Sequence, residues 1–141
     1  MTDYQKEAID FLKKCGVSCR IRKIGEVKGF PFDDHDTYYH NKYRVTLTKG
    51  AEGKTYNFTF YDSAHNYWTG ERPTRYDVLS CLEKYEVEPD MWDFAKEFCY
   101  EIHDKESYNR VCRIHKACIK QYEKLCWLFT DEEMAELQEI N

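Results

Sequence analysis

The feature that most constrains the fold is a pair of alternating segments separated by a glycine-containing turn. Apolar and polar side chains alternate over residues 43–48 and again over residues 56–61, on either side of Gly50 and Gly53. Successive side chains of a strand point to opposite faces of a sheet, so each segment predicts a strand with one buried face. Because both segments are rich in β-branched and aromatic residues, together they predict an antiparallel β-hairpin.

A third alternating segment, residues 17–27, precedes the hairpin and predicts a three-stranded antiparallel sheet. Residues 28–41, between this strand and the hairpin, predict a loop. Three strands with one apolar face need a helix to cover that face. Residues 3–15 supply it, because their apolar side chains recur at helical spacing and Gly16 follows where a helix would end.

After the hairpin, residues 62–73 predict a loop and the remainder of the chain predicts helices. Thr74 begins a sequence that resembles a capping box, and Pro89 suits the first turn of a second helix. A long helix is expected from about Glu106 to Phe129, and Thr130 can cap a last one. Since the strands precede the helices, the sequence predicts an α+β fold: an N-terminal helix, a three-stranded antiparallel sheet and a C-terminal group of about four helices.

Composition indicates a single folded domain over residues 1–141. The chain has 141 residues, of which 42% are hydrophobic and 16% aromatic, enough to form a core at the size of one domain. Its formal net charge of −5 disfavours general nucleic-acid binding, because an acidic chain repels phosphate. The same charge suits a partner with a basic surface, including the basic groove of a protein that itself binds nucleic acid.

Cysteine usage and the N-terminal residues indicate the cell interior. The chain has seven cysteines, an odd number, and its first residues, MTDYQKEAIDF, contain no apolar stretch of a signal peptide. No segment approaches the 18 apolar residues that indicate a membrane span. We therefore expect free thiols, a cytoplasmic protein in the interior of the host cell, and no membrane partner.

Two groups of residues suggest metal binding, and both have an ordinary structural explanation. Cys99, His103, Cys112 and His115 supply two thiols and two imidazoles, as a closed zinc site does, but their spacing follows no zinc signature. We favour core cysteines and a partly buried histidine as the explanation, so a zinc-stabilised domain stays open as an alternative without being predicted. The second group is an acidic loop that offers oxygen ligands, but it lacks the spacing of a calcium loop and a solvated turn explains it as well. Its residues are Asp33, Asp34, His35, Asp36 and His40.

The sequence contains no recognisable catalytic constellation. It has no nucleophile elbow, no phosphate-binding glycine loop and no dinucleotide fingerprint. With seven cysteines and five histidines, chance pairings of a nucleophile with a base are plentiful, so no single pair is informative. The sequence therefore predicts a protein that is not an enzyme and that uses no cofactor.

Two other groups suggest binding surfaces. Arg20, Arg22 and Lys23 could contact phosphate, with sheet aromatics stacking on bases, although Arg20 and Arg22 are also the outward half of an alternating strand. Aromatic residues in predicted loops often anchor partners, because Trp and Tyr dominate interface hot spots. The loop aromatics of this chain are Tyr38, Tyr39, Tyr67 and Trp68.

Residues 42–140 resemble a family of small proteins encoded by phages and other mobile elements. The resemblance depends on the hairpin YRVTL…YNFTFYDS, the helix start at Pro73–Leu79, the aromatic helix at Trp92–Phe98 and the acidic end LFTDEEMAELQEI. These motifs are structural and imply no catalytic residue. The family pattern has a glycine-containing turn where this chain has Cys99–Ile102. The resemblance implies stoichiometric binding, as in anti-CRISPR proteins that block the basic surfaces of Cas effectors.

From these observations we predict a non-enzymatic accessory protein that binds and inhibits a host defence complex, most in keeping with an anti-CRISPR protein acting on a Cas effector. Its partner would present a basic surface. The alternative is a small nucleic-acid-binding accessory protein that uses Arg20, Arg22, Lys23 and the sheet aromatics. The predicted partner contacts are loop aromatics and acidic side chains: Tyr67, Trp68, Glu71, Asp131, Glu132, Glu133 and Glu136.

Overall fold

A computed structural model describes residues 1–31, 35–51, 53–82 and 87–140. The chain forms two units, which are described separately. Met1–Leu82 with Glu139–Asn141 make up one, called the sheet unit, and Glu83–Gln138 make up the other, called the helical unit. The prediction of a single domain stays a prediction.

The described residues confirm the predicted α+β class. A first helix is followed by three strands and then by helices. The elements in chain order are α1 Asp3–Cys15, β1 Val17–Lys28, β2 Tyr39–Lys49, β3 Lys54–Tyr61, α2 Ala64–Thr69, α3 Arg75–Ser80, α4 Met91–Glu97, α5 Lys105–Leu128 and α6 Asp131–Glu139. No helix among the described residues is both long enough and apolar enough to cross a bilayer.

The sheet is antiparallel, with β2 between β1 and β3. Val45 and Leu47 of β2 are completely buried, and Leu47 lies opposite Tyr56 of β3. The pairing of β1 with β2 shifts between Lys23 and Gly25, which is a β-bulge. The alternation seen in the sequence therefore places one face of the sheet in the core.

Helix α1 covers part of the apolar surface of the sheet unit. The Thr2 hydroxyl accepts a hydrogen bond from the Gln5 backbone and begins the helix, and Gly16 ends it in the left-handed conformation. Phe11 and Leu12 are both 3% exposed. Because α1 contacts both β1 and α3, its buried face joins the sheet to α3.

The helical unit has its own core between α4 and α5. Phe94 and Ala95 of α4 are buried together with Val111 and Ile114 of α5, and Val87 completes the cluster. Three capping residues fix where its helices begin, each accepting a hydrogen bond from the backbone of its own first turn: Asp90 for α4, Asp104 for α5 and Thr130 for α6.

Three predicted boundaries were wrong. Strand β2 begins at Tyr39, so the preceding loop ends earlier than residue 41. Residues 62–73 were predicted as a loop but contain α2, which Ser63 caps. Five helices therefore follow the sheet in the described chain. Six residues are too short to show a helical period in sequence, and contact with β2 stabilises α2 instead. Pro89 precedes the Asp90 cap and is not in the first turn of α4.

The turn after α4 has a left-handed residue at Cys99, whose φ is 58°. The Cys99 backbone N–H donates to Lys96 and the Tyr100 N–H donates to Ala95, which closes the end of the helix. Glycine takes this conformation most readily, because it has no Cβ. Cys99 is exposed, so its side chain contributes little packing.

We predict that Cys99→Gly stabilises the protein. An L-residue in the left-handed region carries about 1–2 kcal/mol of strain, and glycine loses about 0.5–1 kcal/mol more in backbone entropy on folding. Urea unfolding should therefore show a gain of about 0.5 kcal/mol. Cys99→Ala, the control, keeps the strain and should unfold like the wild type; equal stability of the Gly and Ala variants would contradict the left-handed conformation.

Candidate binding surface

The segment that leads into β2 is held by the carboxylate of Asp36. Its Oδ1 accepts a hydrogen bond from the Tyr38 backbone at 2.9 Å, and its Oδ2 accepts one from the Phe30 backbone at 3.0 Å. Oδ2 also lies 2.7 Å from His40 Nε2. The hydrogen bond from Tyr38 is the main reason that the pKa of Asp36 is lowered, against an opposing effect of partial desolvation. One charged group therefore ties both ends of this loop together.

Gly29 permits this loop to close. Its φ is 81°, and a Cβ at this position would lie 2.5 Å from the backbone oxygen of Asp36. The Gly29 N–H donates to the Tyr38 carbonyl oxygen at 2.7 Å. Glycine is thus needed here both for its conformation and for the close approach of the two backbone segments.

His40 is engaged at both ring nitrogens. Nδ1 lies 2.7 Å from the backbone oxygen of Asp62, and Nε2 faces the Asp36 carboxylate. Both neighbours are acceptors, so both contacts are hydrogen bonds when the ring carries both protons. His40 is 7% exposed. Because both ring nitrogens contact groups of the chain, His40 has a structural role in this loop.

The Asp62 side chain fixes the edge of β2 next to His40. Its two carboxylate oxygens accept hydrogen bonds from the backbone N–H and the side-chain amide of Asn41, each at 2.7 Å. Asp62 is 3% exposed. A buried carboxylate with both oxygens hydrogen-bonded holds its neighbour rigidly, so the start of β2 is well defined.

A group of aromatic side chains, of which Tyr67 is half-buried and the others are exposed, lies beside this loop. The rings of Tyr39 and Tyr67 stack, with centroids 5.6 Å apart and an interplanar angle of 21°. Tyr38 precedes Tyr39 and is 69% exposed, while Trp68 follows Tyr67 in α2 and is 85% exposed. We call Tyr38, Tyr39, Tyr67 and Trp68 the aromatic surface. The predicted loop residues Tyr67 and Trp68 thus lie in a helix, next to the predicted Tyr38 and Tyr39.

The predicted acidic contacts fall in both units. Glu71 follows α2 and is exposed, and Asp131 and Glu132 are exposed in the first turn of α6. Glu133 and Glu136 are half-buried. One oxygen of Glu133 accepts a hydrogen bond from the Thr130 backbone at 2.8 Å, so this carboxylate already serves the cap of α6.

Charge is divided unequally between the units. The sheet unit has 13 Lys and Arg and 12 Asp and Glu, whereas the helical unit has eight and 14, respectively. The net negative charge of the chain therefore belongs to the helical unit, because the basic residues of the sheet unit outnumber its acidic ones by one.

A basic face lies on the side of the sheet opposite its core. Arg22 and Arg44 are direct cross-strand neighbours, and Arg20 pairs with Thr46 on the same face. All three arginines are exposed, and within the described residues none of their side chains forms a hydrogen bond or an ion pair. We call Arg20, Arg22 and Arg44 the arginine face. Like charges directly opposite in a sheet destabilise it, so an anion on this face would relieve a repulsion.

The structure separates Lys23 from the two arginines that the sequence grouped with it. Lys23 pairs with Tyr43 in the register, on the core side of the sheet, and its ammonium lies 3.2 Å from Glu26. The aromatic residues Tyr43, Tyr56 and Phe60 are buried on that side too. They are therefore not placed to stack on bases beside the arginine face.

Three of the four residues considered as zinc ligands have other contacts. His103 lies 3.8 Å from Asp104, the Tyr108 hydroxyl hydrogen-bonds to Cys112, and His115 Nε2 donates to the Glu88 carbonyl at 2.6 Å. Over residues 1–31, 35–51, 53–82 and 87–140, no three His, Cys, Asp or Glu side chains group closely enough to hold a metal ion. Asp33 and Asp34 of the acidic loop lie outside the described residues.

A pocket of about 380 Å³ opens beside the aromatic surface. It is lined by Lys23, Glu26, Asn41, Tyr43, Tyr67, Gly70 and Arg72. Sequence reasoning missed Asn41, Tyr43, Arg72 and the Arg44 of the arginine face. Alternation identifies which side chains of one strand share a face. To bring these residues together, one must also know which strands are neighbours and in what register they pair.

We predict that Asp36 makes stability depend on pH. Because its folded pKa is lowered, its contribution is complete above the unfolded value of 3.8 and is lost as the pH falls through the lower folded value. Asp36→Asn should therefore destabilise the protein at pH 7, and the difference from the wild type in urea unfolding should shrink towards pH 3.

The exposed Asp10 offers a control for this pH dependence. Asp10→Asn should unfold like the wild type at every pH. A gap between Asp36→Asn and the wild type that stays constant from pH 7 to pH 3 would contradict the role of the Asp36 charge.

Comparison with known proteins assigns no family to these surfaces. No family model, no curated protein and no solved structure matches the chain. The geometry, exposure and charge of the residues described above are therefore the structural basis for a function.

Proposed function

We propose that this chain is a non-enzymatic binding protein of a phage or mobile element that inhibits a host defence complex by stoichiometric contact. The partner that suits it best is a Cas effector with a basic surface, which would make the chain an anti-CRISPR protein. The observation that carries the proposal is the aromatic surface, where Trp68 is 85% exposed beside the stacked pair of Tyr39 and Tyr67.

Aromatic side chains presented in this way favour a protein partner. Trp and Tyr bury a large apolar area on binding and lose few rotamers, so they dominate interface hot spots. Tyr39 is restrained by its stacking on Tyr67, and the backbone of Tyr38 is restrained by Asp36. Because this segment is already ordered, a partner would lose little free energy in immobilising it.

Charge favours a basic partner. The helical unit has 14 acidic and eight basic residues, and Asp131 and Glu132 are exposed at the start of α6. Acidic side chains attract a basic surface over several ångströms and raise the rate of association at low salt. A protein groove that holds nucleic acid has such a surface, which agrees with the family resemblance.

The state of the candidate catalytic groups supports binding over catalysis. His40 is engaged at both nitrogens, and His115 donates to a backbone carbonyl. Burial raises the pKa of the Cys19 thiol, an effect that Arg75 partly offsets, so Cys19 is less available as a thiolate nucleophile. General-base and nucleophilic catalysis both need groups free to act on a substrate.

We predict that the chain captures a Cas effector from nuclease-treated host lysate. The purified effector should bind the chain directly, and this binding should depend on Trp68. Trp68→Ala should weaken the affinity at least tenfold, because truncating a central aromatic anchor costs about 2 kcal/mol or more. Trp127→Ala is the matched control, since Trp127 is 69% exposed but lies in α5, outside the aromatic surface. Equal loss in both variants, or binding that disappears with nuclease, would contradict the proposal.

The acidic contribution needs a separate comparison. Neutralising two charges by Asp131→Asn with Glu132→Gln should slow association and reduce its salt dependence. The control is Glu7→Gln with Asp10→Asn, which removes the same charge from exposed positions of α1. If both pairs change the association rate equally, net charge alone accounts for the effect and α6 has no specific role.

The arginine face favours a second candidate function, direct binding of nucleic acid. Here the supporting observation is that Arg22 and Arg44 lie opposite each other without an acidic partner among the described residues. Phosphate would relieve this repulsion. Each phosphate contact adds roughly 0.7–0.9 to the slope with which the logarithm of the affinity falls against the logarithm of the salt concentration.

This candidate predicts that the chain binds single-stranded nucleic acid without any protein partner. Replacing Arg20, Arg22 and Arg44 by Gln should reduce the salt slope by about two units, and replacing the exposed Lys6, Lys13 and Lys54 by Gln should leave it nearly unchanged. Fluorescence anisotropy with a labelled oligonucleotide over a salt series measures this. Absence of binding at low salt would exclude the second function and leave the first unaffected.

A further inference from the structure

The pocket beside the aromatic surface is reached by the hydroxyl of Tyr43, a residue whose ring is buried. Tyr43 is 3% exposed, and its ring lies against Phe60 with centroids 6.3 Å apart. Tyr43 lines the pocket, and among the described residues its hydroxyl forms no hydrogen bond. Because no contact within the described chain uses this hydroxyl, it remains available to a ligand in the pocket.

Desolvation raises the pKa of Tyr43, and the carboxylate of Asp62 raises it further, while Lys23 and Arg72 act in the opposite direction. The phenol therefore keeps its proton at neutral pH. It can donate that proton in a hydrogen bond to an acceptor that enters the pocket.

Two cations reach the same space. Arg72 makes one long hydrogen bond, from its guanidinium to the Ile21 carbonyl at 3.5 Å, which leaves most of its five donors unused within the described chain. Lys23 lies 3.2 Å from Glu26, and both side chains are 49% exposed. An exposed pair of this kind contributes little stability, so Lys23 can exchange Glu26 for another anion at small cost.

The nearby carboxylates do not oppose an anion as strongly as their number suggests. Asp62 lies outside the pocket lining, and both of its oxygens accept hydrogen bonds from Asn41. Glu26 has Lys23 at one oxygen and, at 3.4 Å from the other, the Tyr67 hydroxyl. The donors that remain for a ligand are therefore the Tyr43 hydroxyl, the Arg72 guanidinium and the Lys23 ammonium.

We propose that this pocket binds a small oxyanion, a carboxylate or a phosphate group, through Tyr43, Arg72 and Lys23. The planar guanidinium of Arg72 matches two oxygens of either group, and Lys23 adds a second positive charge. The Tyr43 hydroxyl donates to a third oxygen or shares one of the two. The volume of about 380 Å³ is at the small end of ligand pockets, which suits a small molecule or the acidic group of a larger one.

This inference is independent of the proposed function. The pocket lies within the sheet unit and its ligand needs no macromolecular partner. Failure to find a Cas effector would leave the oxyanion site untouched. Loss of oxyanion binding would likewise leave the aromatic surface and the acidic helix as they are.

The test is an NMR titration of the full chain with sodium phosphate and, separately, with sodium acetate, at constant ionic strength. We expect saturable shifts of the Tyr43 and Gly70 amides in the millimolar range, and the tighter of the two anions identifies the oxyanion class. Methylammonium chloride is the cationic control and should produce no saturable shift. Absence of saturation with both phosphate and acetate overturns the proposal.

Two variants assign the binding to these donors. Tyr43→Phe removes only the hydroxyl and keeps the ring packing against Phe60, so the fold should persist while the affinity falls at least tenfold. Arg72→Gln changes an exposed residue and should have an equal or larger effect. Tyr61→Phe is the matched control, because Tyr61 belongs to β3 but does not line the pocket. Affinity unchanged in Tyr43→Phe and Arg72→Gln marks an adventitious surface anion and overturns the proposal.

Discussion

The register of β2 between its two neighbours decides which side chains of the sheet unit act together. Val45 and Leu47 are buried on one face, while Arg44 meets Arg22 on the other. A shift of one residue would exchange the two faces and place charged side chains in the core. Because burying the apolar face strongly favours one register, the positions of the arginine face and of the Tyr43 pocket follow from core packing.

The β-bulge in β1 adds a second constraint to this register. It lies between Lys23 and Gly25, at the point where β1 passes the pocket. Alternation alone places Arg22 on the open face and Lys23 on the other, because both residues precede the bulge. The bulge then brings Glu26 opposite Asn41, on the same side as Lys23, and the two side chains pair. The bulge therefore places Glu26 beside Lys23 in the pocket, whereas strand alternation divides the basic residues between the two faces.

The aromatic surface depends on polar groups that are themselves well satisfied. Asp36 accepts hydrogen bonds from both sides of its loop, and Asp62 holds the start of β2 through Asn41. Carboxylates that accept several hydrogen bonds order the backbone around them. Tyr38 and Tyr39 are presented on this ordered backbone, so the exposed rings extend from a defined position.

The sequence by itself determined the class of fold, because the period of apolar residues differs between strands and helices and needs no tertiary information. It located α1, the three strands and the caps of α3 and α6, and it identified Trp68 and Tyr38 as candidate contacts. It missed α2, whose six residues are stabilised by caps and by contact with β2. Only the tertiary structure decided that Arg44 joins Arg20 and Arg22, and that Arg72 and Tyr43 share a pocket. Residues this far apart in the chain meet through strand register and helix placement, which arise from the packing of the whole core and leave no local pattern.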